Sequence, residues 1–139
     1  MHGVAVHGVA QFRPLDLSTM NDSTAIPILR VKDARRSALF YCEKLGFTKD
    51  WEHQFGPEFP LFMSISRGSL KLLLSEHQGS GTDHADLYVY VPDVDSLHEE
   101  FTSAGVTIEQ PLIDQPWGVR DTQIRDLDDH RFTFATTKV

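Results

Sequence analysis

An internal duplication is the feature of this sequence that most restricts its possible folds. Val31-Lys32-Asp33 aligns with Val91-Pro92-Asp93, and Leu45-Gly46-Phe47 aligns with Ala104-Gly105-Val106. Both pairs are separated by about 60 residues, and a fixed spacing of this kind marks a repeated structural unit. Most of the chain is therefore expected to consist of two related units.

Each unit, of about residues 25–75 and 84–136, reads as a strand, a helix and three more strands. Asp33 and Asp93 are good helix N-caps, and Gly46 and Gly105 are placed to end the two helices. Pro27 lacks a backbone donor, so the first strand is predicted to lie at a sheet edge. The individually predicted strands are Ala25–Val31, Phe47–Phe55, Pro60–Ser66, Leu70–Ser75, Asp86–Val91, Thr122–Arg125 and Arg131–Thr136. The sequence thus predicts an α+β fold of two βαβββ units.

The two units are predicted to form a single domain of residues 24–139. Residues 1–23 precede it as an N-terminal arm or tail. The arm has no sustained hydrophobic period, and Met20 within it is a second possible start. A polar, glycine-containing linker, residues 78–83, separates the units.

Composition excludes several functions. The net charge of −7 argues against a nucleic-acid partner, because nucleic-acid phosphates select basic surfaces. The charge would attract a cationic ligand; the alternative is that it only keeps the protein soluble. No apolar run approaches the roughly 20 residues of a membrane helix. The single cysteine, Cys42, excludes an internal disulfide and suits a reducing compartment, so we expect a cytoplasmic protein without membrane or nucleic-acid partners.

Strand parity in the second unit predicts which sheet face is open. Leu87, Val89 and Val91 alternate with Asp86, Tyr88 and Tyr90, and the aliphatic side should meet the helix. The other side presents two phenols and a carboxylate, which suits a ligand pocket or a subunit interface. The alternative is an ordinary half-exposed sheet face.

The last hairpin adds a candidate rim to this face. Trp117 and Arg120 precede it, and Asp126-Leu127-Asp128-Asp129-His130 forms its turn. Asp129 is the turn position that requires a left-handed backbone, which Asp tolerates better than most residues.

Several sequence motifs of this chain together resemble those of the vicinal oxygen chelate superfamily, which includes glyoxalase I, extradiol dioxygenases and the fosfomycin and bleomycin resistance proteins. They are the paired Val-x-Asp motifs, Tyr41–Phe47 at the end of the first helix, and Trp117–Arg120 before the Asp-rich hairpin. The resemblance covers about residues 25–136. It implies a curved, cup-like mixed sheet with the helices on the convex side.

The resemblance also implies where a metal would be held. Enzymes of this superfamily carry ligands at positions that correspond in this chain to Ile26, Leu73, Asp86 and Thr133. Ile and Leu cannot bind a metal, and one carboxylate with a Thr is too few donors for a divalent ion. We therefore expect no metal, no other cofactor and no catalytic residues.

Other sequence patterns offer no better catalytic site. Cys42 lies on the first helix and reads as an inert, partly buried thiol. The seven histidines show no ligand spacing, and the best remaining candidate for a site is Glu76-His77 near His84.

The leading hypothesis is a metal-free homodimer that sequesters a cationic, aromatic drug-like ligand, such as a bleomycin-family glycopeptide, and confers resistance without turnover. Asp86 and Glu52 are the candidate counter-charges, and Arg120 would orient a ligand oxygen or brace Asp86. The predicted ligand-binding residues are Trp51, Phe55, Phe59, Phe62, Asp86, Tyr88, Tyr90, Trp117 and Arg120. Two alternatives stay open: an enzyme of the same fold (a lyase, isomerase or dioxygenase) acting on a small metabolite, or a general small-molecule binder.

Overall fold

A computed structural model describes residues 23–138, which contain two helices and eight strands. Residues 1–22 of the predicted arm lie outside the described residues. In chain order the elements are β1 Ile28–Arg30, α1 Ala34–Lys44, β2 Thr48–Gln54, β3 Leu61–Arg67, β4 Leu70–Ser75, β5 Asp86–Tyr90, α2 Val94–Ser103, β6 Ile108–Asp114, β7 Val119–Arg125 and β8 Arg131–Thr137.

The strands form two mixed sheets with the same topology. Their orders are β1-β4-β3-β2 and β5-β8-β7-β6, and in each sheet the first strand is parallel to its neighbour while the other pairs are antiparallel. The predicted α+β fold of two βαβββ units is confirmed, with the strands divided into two four-stranded sheets.

The first strand is shorter than the predicted Ala25–Val31. Pro27 still accepts a hydrogen bond from the Leu73 amide, but it has no N–H to return, so regular pairing begins only at Ile28. On its outer side, β1 exchanges two backbone hydrogen bonds with Thr82. A short piece of the linker therefore covers the predicted edge.

Both helices begin and end where the sequence indicates. The side chains of Asp33 and Asp93 accept hydrogen bonds from the amides three residues on, at 3.1 Å in each case. Gly46 and Gly105 follow the helices with φ of 74° and 84°, a left-handed conformation that a side chain would disfavour. Asp129 also has a positive φ, 69°, which confirms its predicted role in the last turn.

One apolar core lies between the helices and the sheets and is shared by both units. Tyr41 of α1 packs edge-on against Phe47 of its own unit and against Phe132 of the other. In the second unit, Phe101 of α2 packs against Phe134. Because the core is continuous, the two units are expected to unfold together.

Two hydrogen bonds, one buried and one partly buried, join α1 to the turn between β7 and β8. The Tyr41 hydroxyl donates to a carboxylate oxygen of Asp126, and the Ser37 hydroxyl donates to Asp128 at 3.0 Å. Burial raises the pKa of Tyr41 and also that of Asp126, although hydrogen bonds from Tyr41 and from backbone amides oppose the shift at Asp126. These bonds attach the second unit to the first helix.

A surface ion pair makes a second connection between the units. Arg67, at the end of β3, donates two hydrogen bonds to Glu100 of α2, at 2.6 and 2.9 Å, and a third to the Leu45 carbonyl. The bonds from Arg67 hold the pKa of Glu100 below its usual value. The pair therefore stabilises the folded state above the unfolded pKa of Glu, and this contribution is lost as pH falls through the lower folded pKa.

Glu100→Gln should therefore lower the free energy of unfolding near neutral pH by less than about 1 kcal/mol, because the pair is partly exposed. The difference from wild type should shrink as pH falls below about 4, where Glu100 becomes protonated in wild type as well. Urea unfolding at a series of pH values measures this. Glu99→Gln, one residue earlier on the same helix, is the control and should show no such convergence.

Neither helix in residues 23–138 is long and apolar enough to cross a membrane.

Candidate functional site

Each sheet has one face against the helices and one face turned away from them, termed its open face. The first open face belongs to the sheet of β1–β4 and the second to the sheet of β5–β8. Leu61, Met63 and Ile65 of β3 are buried in the shared core, so the alternate residues of β3 lie on the open face. In β5, Leu87 and Val89 pack on the core and the alternate residues are exposed, as strand parity predicts.

A group of three aromatic side chains lies on the second open face. The rings of Tyr88 and Tyr90 are 5.3 Å apart, and Trp117 Nε1 donates to the Tyr88 hydroxyl at 3.4 Å. Tyr88, Tyr90 and Trp117 are 46%, 66% and 64% exposed. This second aromatic group is a wide apolar platform with polar edges, which is suited to stacking on a flat ring.

A first aromatic group occupies the first open face. Trp51 and Phe62 have ring centroids 5.6 Å apart, and Phe55 packs edge-on against His53 at 4.5 Å and His77 at 6.2 Å. Phe59, also a predicted site residue, lies in the exposed loop between β2 and β3. The nine predicted residues are thus divided between the two units, in strands and in the loops beside them, rather than gathered in one cluster.

The second open face contains a buried acid that the sequence analysis did not identify. Asp121 of β7 is 2% exposed and lies opposite Ala135, which in turn lies opposite Tyr90. Its Oδ1 atom accepts hydrogen bonds from the side-chain amides of Gln110 and Gln115, at 2.8 and 3.0 Å. Asp121 forms no ion pair with any basic residue among 23–138, so its charge is not neutralised.

Arg120 does not lie on the open face. It is opposite Thr136 on the helix side of the sheet, where it donates to Asp95 of α2 at 2.7 Å and to Asp114 at 3.2 Å. The expectation that Arg120 braces Asp86 is therefore wrong. Neighbouring residues of a strand point to opposite faces, and β7 places Asp121 rather than Arg120 towards the open side.

The two predicted counter-charges already have partners. Asp86 pairs with Arg131, whose hydrogen bonds hold the pKa of Asp86 below its usual value. Glu52 points to the helix side, where it accepts hydrogen bonds from Arg35 of α1 and from Lys49, both at 3.0 Å. Of Asp86, Glu52 and Asp121, only Asp121 lies on the open face without a cationic partner in the described residues.

The four positions that the resemblance assigns to metal ligands do not form a group of metal-binding side chains. They are Ile26, Leu73, Asp86 and Thr133. Leu73 lies opposite Ile28, and Thr133 lies opposite Tyr88 and accepts a hydrogen bond from Gln123. Within residues 23–138, no three His, Cys, Asp or Glu side chains are placed to hold a metal ion.

The remaining candidates have structural roles. Glu76 accepts hydrogen bonds from the amides of Ala34 and Leu61, at 2.7 and 2.9 Å, and so links α1 to β3. His77 belongs to the first aromatic group. Cys42 is half-buried, and burial raises the pKa of its thiol, which disfavours the reactive thiolate.

The fold defines a protein of the class built from two paired βαβββ units. A family model described as "Glyoxalase superfamily protein" matches residues 15–138, and the chain belongs to that superfamily. No curated protein sequence matches the chain significantly.

Solved structures of the same fold include a bleomycin-binding protein and a bleomycin resistance determinant. The bleomycin-binding protein of Streptomyces verticillus, complexed with copper(II)-bleomycin, is 28% identical with a TM-score of 0.61, over 87% of this chain and 99% of that one. TioX from Micromonospora sp. ML1 is 25% identical with a TM-score of 0.66, over 84% and 98%. The bleomycin resistance determinant of transposon Tn5 shares the fold, with 22% identity and a TM-score of 0.69 over 85% and 100%.

Proposed function

We propose that this protein binds a cationic, aromatic, drug-like molecule, such as a bleomycin-family glycopeptide, and confers resistance by sequestering it in the cytoplasm without turnover. The observation that carries the proposal is the second aromatic group beside Asp121. Exposed rings attract flat and cationic groups, and a buried carboxylate without a cation is costly unless a ligand supplies one. The copper(II)-bleomycin complex of the Streptomyces verticillus relative is consistent with such a ligand.

The binding unit in this proposal is a homodimer. Tyr88, Tyr90 and Trp117 form one contiguous group of exposed rings on the second open face, and Phe55 is exposed in the first aromatic group; contiguous exposed apolar groups mark interaction sites. Two copies related by a twofold axis would place the first aromatic group of one subunit over the second group of its partner, closing two equal clefts. Sedimentation equilibrium should give twice the mass of the chain, and a monomer at micromolar concentration would contradict this arrangement.

Calorimetric titration tests the ligand. We expect one site per subunit for metal-free or copper(II)-loaded bleomycin, and no heat for a neutral sugar of similar size. Saturable binding of other flat cations but not of bleomycin would support a general binder instead. A stoichiometric tightly bound Zn, Mn, Fe or Ni ion in protein purified without added metal would contradict the absence of turnover and favour an enzyme of this fold.

Trp117→Ala and Tyr88→Ala should each weaken ligand binding about tenfold, because a ring–ring or ring–cation contact contributes about 0.5–2 kcal/mol. Both side chains are exposed, so the melting temperature should change by no more than a few degrees. Calorimetry and thermal unfolding measure the two effects. Leu39→Ala, an exposed apolar residue on α1, is the control and should leave affinity unchanged.

A further inference from the structure

Two glutamine side chains hold one oxygen of the Asp121 carboxylate. Its Oδ1 atom accepts hydrogen bonds from Nε2 of Gln110 and of Gln115, at 2.8 and 3.0 Å. Gln110 belongs to β6 and Gln115 to the turn between β6 and β7, so the two amides come from different segments. The amides therefore fix the orientation of the carboxylate and leave Oδ2 to a different partner.

The Oδ2 atom of Asp121 has no such partner. It accepts no hydrogen bond from residues 23–138. Within that range the side-chain atom that is enclosed without a partner is Arg30 Nε, so Asp121 Oδ2 still touches solvent. A carboxylate that is 2% exposed has little contact with water, and a charged acceptor without a donor is costly. A donor on a ligand would remove this cost.

The floor around Asp121 is apolar. Val119 precedes it on the open side of β7, and Ala135 lies opposite it on β8. Both are buried, yet neither belongs to the shared core, so they are covered on the open face. An apolar floor strengthens a hydrogen bond to the carboxylate, because less water competes for it.

The second aromatic group lies within reach of this carboxylate. Tyr90 is two strands from Asp121, a separation of roughly 10 Å at the usual strand spacing. Trp117 is in the same turn as Gln115, and backbone hydrogen bonds from Gln115 and Gly118 close that turn. A flat ring on the aromatic group would therefore need only a short arm to place a donor at Oδ2.

We propose, on the basis of the proposed function, that Asp121 Oδ2 selects ligands whose positive charge is on an N–H group, an ammonium or amidinium joined by a short arm to a flat ring. The negative charge attracts any cation on the open face. A quaternary ammonium, however, has no N–H and leaves Oδ2 without a donor, whereas an N–H cation forms a charge-assisted hydrogen bond there. This bond comes in addition to the general attraction for cations.

Three ligands with the same ring separate the hydrogen bond from the charge. They are 2-naphthylmethylammonium, its quaternary trimethyl analogue and neutral 2-naphthylmethanol, each titrated into the full chain at neutral pH and constant ionic strength. Ligands of this size require roughly millimolar concentrations. The indole N–H signal of Trp117 in a ¹H–¹⁵N spectrum, assigned by its loss in Trp117→Phe, reports binding. The primary ammonium should bind about tenfold more tightly than the quaternary one.

Asp121→Asn should abolish this preference. Asparagine keeps an oxygen for Gln110 and Gln115 but turns an N–H donor towards the ligand, so the two cations should bind within about twofold of each other. Asp95→Asn is the matched control, because it makes the same substitution at an acid that pairs with Arg120 on the helix side. The control should keep the preference for the primary ammonium.

Equal affinity of wild type for the two cations would overturn the proposal, since Asp121 would then act through its charge alone. A preference that survives in Asp121→Asn would also overturn it, because the N–H group would be bound elsewhere. Either result leaves the proposed cationic ligand class standing. The absence of a saturable shift with both cations would instead contradict the selection and the proposed function together.

Discussion

His130→Ala should lower the free energy of unfolding by about 3 kcal/mol, a large effect for a single substitution. The imidazole is fully buried between the units. Its Nδ1 atom accepts a hydrogen bond from the Ala85 amide at 2.8 Å, so Nε2 carries the proton and donates to the Arg30 carbonyl at 2.7 Å. Alanine leaves both backbone groups buried without a partner and adds a cavity.

Urea unfolding at neutral pH measures this loss, which corresponds to about a hundredfold change in the folding equilibrium. His84→Ala is the matched control, because His84 is exposed next to Ala85 and makes no side-chain hydrogen bond with residues 23–138. It should change stability by less than about 0.5 kcal/mol. A loss below about 1 kcal/mol for His130→Ala would show that the ring does not hold the units together.

The repeated unit could be predicted from the sequence because its signals are local. Asp33 and Asp93 act as caps within one turn of helix, and Gly46 and Gly105 end the helices through their own backbone freedom. These features depend little on distant residues. The connection between units through His130 was not predictable, since its partners are 45 and 100 residues away in the sequence.

The sequence did not predict the first three residues of β7, and for the same reason it did not indicate that Asp121 lies on the open face. The predicted strand Thr122–Arg125 begins three residues late, because Asp121 is unusual in a strand and unusual in a buried position. Once β7 begins at Val119, alternation alone places Asp121 on the open face and Arg120 on the helix side. The predicted contact between Arg120 and Asp86 is absent because each has an ion-pair partner on another element, and such partners cannot be inferred from local pattern. The role of Asp86 in ligand binding stays a prediction.

The charge of Asp121 provides the sharpest test of the proposed ligand class. At an effective dielectric constant of about 20, a cation roughly 8 Å from this carboxylate gains about 2 kcal/mol, or about 30-fold in affinity. Asp121→Asn keeps the size of the side chain and an oxygen for Gln110 and Gln115, but removes the charge. We therefore expect the variant to bind a cationic glycopeptide about 30-fold more weakly.

The comparison that isolates charge uses two ligands and two variants. A neutral aromatic analogue should bind wild type and Asp121→Asn within about twofold of each other, because stacking on Tyr88, Tyr90 and Trp117 is unchanged. Glu43→Gln removes one exposed charge from α1 and should leave both affinities unchanged at about 0.15 M salt, where distant surface charges are screened. Equal weakening of both ligands by Asp121→Asn would point to a packing defect. Unchanged binding of the cationic ligand would mean that its positive group lies far from Asp121, because removing a nearby negative charge must weaken the binding of a cation.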